Sequence, residues 1–113
     1  MDNLEMVAFQ IISSVGSARS CYIGAIQAAR EGRREESMEL IREGKEQFVE
    51  GHHIHMDLLA KAAEGELDMG ECGLLLMHAE DQLMSAEGFK IIAEEMLASY
   101  ERIAELEKRL ENR

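Results

Sequence analysis

Three features of this sequence predict an all-α fold, an antiparallel three-helix bundle. Proline is absent from all 113 residues. Apolar residues recur at steps of three and four through three long segments, the spacing that lines one face of a helix. Two short breaks centred on glycine, REG at 30–32 and EGE at 64–66, separate the segments. Helices are expected at about 4–31, 34–63 and 70–111, within a single domain covering 1–113. Breaks this short return each helix antiparallel to the one before. The abundant Ala, Glu, Leu, Met, Arg and Lys all favour helix.

The first helix carries its stripe on Leu4, Ala8, Ile11, Val15, Ala18, Tyr22, Ala25 and Ala29, and Ile12, Ile23 and Ile26 widen it. Gly16 and Gly24 weaken a helix intrinsically, so close helix contact is expected there. Arg19 and Ser20 fall on a solvated edge or the wall of a cleft. In the second helix the expected stripe is Met38, Ile41, Lys45, Phe48, His52, His55, Leu59 and Ala62. Asp68 is a candidate cap for the segment after the second break. The third helix, roughly 40 residues and about 60 Å long, carries Leu74, Met77, Asp81, Met84, Gly88 and Ile91 on one stripe. Its distal end continues with Met96, Ile103, Leu106 and Leu110, a seam that wants a helix partner.

Charge and composition exclude several classes. A formal net charge of −11 argues against nucleic acid and against anionic membrane surfaces. No run is long and apolar enough to cross a bilayer, and the N-terminus lacks a secretion signal. Two cysteines, Cys21 and Cys72, without a framework spacing read as reduced thiols, and the cytoplasm is the expected compartment. Nothing local would lower the pKa of Cys72 and make it a nucleophile.

The chemistry concentrates in LLLMHAEDQLM at 74–84. His78 and Asp81 are three residues apart, hence neighbours on a helix. An ionised Asp on an apolar stripe needs a cation, a symmetry-related pairing or a shared proton. Surplus apolar surface on the first and third helices suggests self-association. On the axis of a cyclic trimer, three Asp81 carboxylates would converge. The plain alternative is a satisfied His78, with Asp81 paired to a Lys or Arg of another helix. The HHIH cluster at 52–55 invites a zinc or iron site through His52 and His55. No HExxH, no nearby Cys and no second Glu-x-x-His accompany it. A hydrogen-bonded role for these histidines, or a place in the wall of the cleft holding His78, competes with the metal reading.

HAEDQLM at 78–84, supported by GSARS at 16–20, the two glycine breaks, His52 and the Leu58–Leu59 pair, resembles the lactose/cellobiose-type IIA component of the bacterial phosphoenolpyruvate-dependent sugar phosphotransferase system. The family signature is His-Ala-Gln-Asp-His-Leu-Met. Glu80 stands here where Gln is common, Gln82 where His is common, and His55 where Gln is common. The resemblance implies a homotrimer, a nine-helix bundle, that carries a phosphoryl group from the histidine phosphocarrier HPr to a cysteine of a IIB protein. A membrane IIC component binds the β-linked disaccharide, of the lactose, cellobiose or diacetylchitobiose class. It also implies that His78 accepts the phosphoryl group and that Asp81 holds a divalent metal, one magnesium shared per trimer. Gln82, one turn beyond His78, can assist by hydrogen bonding. Periodicity alone leaves two other classes open: a metal-binding or structural helical oligomer, and a coiled-coil adaptor.

Overall fold

The computed structural model describes residues 3–113, which form helices α1 (Asn3–Arg30), α2 (Arg34–Ala63) and α3 (Gly73–Glu111). A 3₁₀ turn at Gly70–Cys72 leads into α3, so the third helix proper starts three residues later than expected. Both breaks are glycine-closed helix ends. Gly32 and Gly65 take φ of 80° and 73°, a left-handed backbone that glycine adopts without a Cβ penalty. Gly32 N–H donates to Ala29 O and Arg33 N–H to Ala28 O; Gly65 and Glu66 do the same to Ala62 and Lys61. These paired bonds satisfy carbonyls that the helix end would orphan. Asp68 Oδ1 accepts from Gly70 N–H at 3.1 Å within the break, but it is not the expected cap: Met69 and Cys72 hold the cap positions of the 3₁₀ turn and of α3, without side-chain cap bonds.

The expected stripe of α1 is the core. Ala8, Ile11, Val15, Ala18, Tyr22, Ala25 and Ala29 are buried. The stripe faces α2 on one side and α3 on the other. The ion pairs Arg34–Glu101 (3.2 Å) and Lys45–Glu94 (2.9 Å) and the His55–Glu80 contact (3.5 Å) link α2 to α3 in descending register. Hence α3 is antiparallel to α2 and parallel to α1. Along α3 the inward residues are Ala79, Leu83, Ala86 and Ala93.

The α2 stripe departs from expectation. Its buried residues are Ser37, Ile41, Gly44, Gly51 and Leu58, whereas Met38, Lys45, His52, Leu59 and Ala62 are exposed. The helix is rotated because its backbone, not its side chains, meets α1. A Cβ on Gly44 would lie 2.8 Å from Tyr22 Cδ1 and closer still to Cε1, and one on Gly51 2.8 Å from Val15 Cγ1. Ser37 Oγ donates to Ala25 O at 2.8 Å and Ser14 Oγ to Gln47 O, adding two side-chain bonds to the same seam. The close-contact role expected of Gly16 and Gly24 therefore belongs to Gly44 and Gly51. A Cβ on Gly16 would meet nothing within 4 Å, and one on Gly24 only an ordinary contact with Leu40.

Gly44→Ala should cost stability despite its better helix propensity. The propensity gain is about 1 kcal/mol; displacing the fully buried Tyr22 ring costs about 1–3 kcal/mol. Gly16→Ala, with open space around it, should instead gain up to about 1 kcal/mol. Urea unfolding of the two variants beside wild type checks the sign of each.

Tyr22 supplies a second test. Its hydroxyl is buried with no hydrogen-bond partner among the described residues. Burial first, then Glu94 and Cys21, push its pKa from 10.0 up to about 12. A phenol whose pKa rises on folding stabilises the fold fully below pH 10. That contribution is lost as pH climbs through 12. Tyr22→Phe removes an unsatisfied polar group and should leave stability at neutral pH unchanged or higher by about 1 kcal/mol. It should also delay alkaline unfolding, read by circular dichroism between pH 9 and 12.

Candidate functional site

The turn of α3 carrying His78 begins five residues after the helix start at Gly73. Each residue turns the helix by about 100°. With Ala79 facing inward, this places His78 and Gln82 on the flank beside α1, Glu80 on the flank beside α2, and Asp81 outward. Burial agrees: His78, Glu80 and Asp81 are exposed, Gln82 is half-buried and Ala79 is buried. The α1 flank continues to Phe89, where the Arg19 guanidinium lies 5.0 Å above the ring, a cation–π contact. Arg19 is thus an exposed edge residue, as expected, with a packing role.

The stripe around Asp81 is not core within one chain. Leu74 is 80% exposed, Met77 61%, Met84 63% and Ile91 54%. Its period was legible, but no element among the described residues covers it. Ile103, Leu106 and Leu110 are exposed as well, and they lie along the same side of a straight helix. Leu110 is 36 residues beyond Leu74, about ten full turns. Among the described residues Asp81 has no ion-pair partner, and no three His, Cys, Asp or Glu side chains converge as a metal site. One chain offers one outward carboxylate. Its oxygens suit a hard cation, but a ligand set must be completed by other copies.

The histidine cluster lies on the other side of α3. His52 stacks on Phe48 with ring centroids 5.7 Å apart. His53 is exposed. His55 Nε2 lies 3.5 Å from Glu80 Oε1. His52 and His55 are thus committed to different neighbours and do not converge on an ion. They do not wall a cleft around His78 either. The cavity of about 170 Å³ that His55 lines with Glu80, Leu58 and Leu76 does not include His78. Gln82 remains as the polar side chain on the flank of His78. Neither cysteine offers an activated thiol: Cys72 is buried, and burial with Glu43 pushes the Cys21 thiol up. The Glu80–His55 contact was not read from the sequence. No local pattern joins residues 25 apart; the signal available was that both positions depart from the family pattern.

A groove of about 420 Å³ between α1 and α2 contains no residue of α3 and so does not serve His78. The histidine stands on open surface. Such a position suits a nucleophile presented to a macromolecule better than one working on an enclosed small substrate.

Fold and site together define a small three-helix protein with an exposed, helix-borne histidine one turn from a carboxylate. Residues 6–101 match the family described as PTS system, lactose/cellobiose-specific IIA subunit, and the chain belongs to that family. It is 40% identical over 93 residues to the oligo-beta-mannoside-specific EIIA component of Bacillus subtilis (strain 168), covering 82% of this chain and 83% of the relative. The lichenan-specific phosphotransferase enzyme IIA component of the same organism is 36% identical over 104 residues, 92% of this chain and 93% of the relative. The crystal structure of the cellobiose-specific enzyme IIA from Bacillus anthracis superposes with a TM-score of 0.86 at 36% identity, over 92% of this chain and 94% of that one.

Proposed function

We propose that this chain is a phosphoryl carrier in the uptake of a β-linked disaccharide or related oligosaccharide, and that His78 is the residue phosphorylated. The supporting observation is an exposed His78 on the α1 flank of α3, beside half-buried Gln82 and one turn from Asp81, in a chain of the IIA family. The sugar class rests on relatives named for oligo-β-mannosides, lichenan and cellobiose. The carrier works in the cytoplasm between HPr and its IIB protein, and the membrane IIC component takes the sugar.

A neutral imidazole is nucleophilic near pH 7 and also a good leaving group. One ring nitrogen of His78 attacks phosphorus as the P–N bond to HPr breaks; the HPr imidazole keeps that electron pair. A IIB thiolate then attacks, and the P–N bond to His78 breaks in turn. Protein catalysis here is positioning and charge stabilisation. Gln82 can donate its amide N–H to a phosphoryl oxygen.

His78→Ala should keep the fold, because the side chain is exposed. It should abolish phosphoryl acceptance from phospho-HPr, followed by intact mass. Phosphorylation of the variant at another histidine would overturn the assignment.

The working form is a homotrimer, a nine-helix bundle in which the outward face of α3 is covered by the other copies. An uncovered strip with Leu74 80% exposed is more than a monomer ordinarily leaves in water. The three Asp81 carboxylates would hold one divalent cation, magnesium by donor hardness, which supplies positive charge against their mutual repulsion. Light scattering at micromolar concentration should give three times the chain mass. Asp81→Leu should be tolerated or raise trimer stability, since apolar contact replaces costly buried charge. Excess chelator should lower the melting temperature of wild type and leave Asp81→Leu unmoved. A monomeric mass, or melts that respond alike to chelator, would refute this arrangement.

A further inference from the structure

We propose that the His55–Glu80 contact is a positioning device that fixes the rotation of α3 about its own axis and so the presentation of His78. The inference rests on the phosphocarrier reading for its consequence, though not for its geometry. The buried residues of α3 are small apart from Leu83: Ala79, Ala86 and Ala93 stand at heptad spacing, while Leu75, Leu76, Phe89 and Leu97 pack half-buried against the core around them. Methyl groups make shallow ridges, and shallow ridges resist axial turning poorly. The angle of the helix is therefore set by what grips its flanks. On the α1 side that grip is Arg19 on Phe89. On the α2 side there are two ion pairs, Glu94–Lys45 and Glu101–Arg34, and the Glu80–His55 contact, which carries charge on both partners only when the imidazole is protonated.

Of these three, only Glu80–His55 falls in the turn that carries His78. It also has the most shielded partner. The His55 side chain is 14% exposed, against 49% for Lys45 and 52% for Arg34, while the carboxylates are all open, 50% for Glu80, 41% for Glu94 and 42% for Glu101. Exposed pairs hold geometry weakly because water and salt screen them and long side chains wander. The short imidazole is instead walled by Ile11, Leu58 and Leu76, and Glu80 is the one carboxylate among the described residues that lines the cavity with it. Glu80 follows His78 by two residues, about 200° around the helix. A tether at Glu80 therefore governs a group on the opposite flank. Releasing it and letting α3 turn by about 20° would move a side chain at the helix surface by about 2 Å. Displacements of this size are costly to a transfer whose catalysis is positional. His55 and Glu80 are positioning residues; neither lies on the flank where phosphorus would sit.

The test uses the full-length chain with His55→Ala, Glu80→Ala, the double variant and His55→Lys. Rates of phosphoryl acceptance from phospho-HPr are compared, with melting temperatures and the amide shifts of His78 and Gln82. Each alanine variant should slow acceptance by about tenfold at a melting temperature close to wild type. The double variant should be no slower than either single, and His55→Lys should recover most of the rate. In both alanine variants the His78 and Gln82 resonances should move in the same direction. Unchanged rates, effects that multiply in the double variant, or slowing that tracks loss of the fold would each overturn the proposal. If wild type itself accepts no phosphoryl group, the phosphocarrier reading falls. The resonance shifts then decide the positioning role alone, and unmoved His78 and Gln82 signals would end it.

Discussion

The close seam between α1 and α2 is the constraint on which the rest of the molecule depends. Gly44 lets the α2 backbone lie against the ring of Tyr22, and Gly51 admits Val15 one heptad further on. Neither notch could carry even a methyl group without displacing a buried partner. Ser37 and Ser14 add hydrogen bonds to opposing carbonyls, so small polar residues at the seam are satisfied as well as compact. With two helices drawn this close, the groove between them is too shallow for large knobs. The face that α3 lays on it is accordingly mostly alanine. Apart from Leu83, the bulky residues of α3 are half-buried at the edges of the core or stand on its outward side.

That division of labour makes the site possible. In the proposed role, a histidine that met two different proteins in turn would have to stand on open surface and yet not wander. Seating α3 on a smooth hairpin and gripping it at its flanks gives both. The inward face carries no chemistry, the α1 flank offers His78 and Gln82, and the α2 flank carries the ion pairs. The outward face is given to apolar contact and one carboxylate. Four sides of one helix thus serve four purposes, separated by the 100° step between residues.

The parts of this arrangement that large apolar side chains carry were legible in the sequence. The α1 stripe was read correctly because its core positions are Ile, Val, Tyr and Ala at regular steps. The breaks were legible because a left-handed helix end favours glycine. The α2 face was misread for the converse reason. Beside Ile41, which the expected stripe contained, and Leu58, its core positions are Ser37, Gly44 and Gly51, residues that hydrophobic periodicity passes over, while Met38 and Leu59 on the rim drew the stripe aside. On α3 the period was right, and the exposed stripe around Asp81 is the surplus apolar surface expected of this helix. A stripe shows which residues share a face, but the same pattern serves a core and an interface between copies. His78, Asp81 and Gln82 came from a seven-residue string, which local order suffices to write. The His55–Glu80 contact came from tertiary packing, where local sequence has no record.

Asp81 is placed where it weakens the surface around it. An outward strip with Met77, Met84 and Ile91 exposed in the single chain would associate more tightly if position 81 were apolar too, since a desolvated carboxylate costs several kcal/mol. The same feature gives the strip a register. An apolar strip such as that from Leu74 to Ile91, about five turns long, can slide or pair in several alignments with similar burial. A single charge that must be neutralised penalises every alignment in which its counterpart is absent. Buried polar groups at one position of an otherwise apolar helix seam select register and copy number in this way. In the proposed trimer, Asp81 would trade association strength for one alignment of α3 against its copies, and that alignment would set where each exposed His78 stands relative to the neighbouring chain.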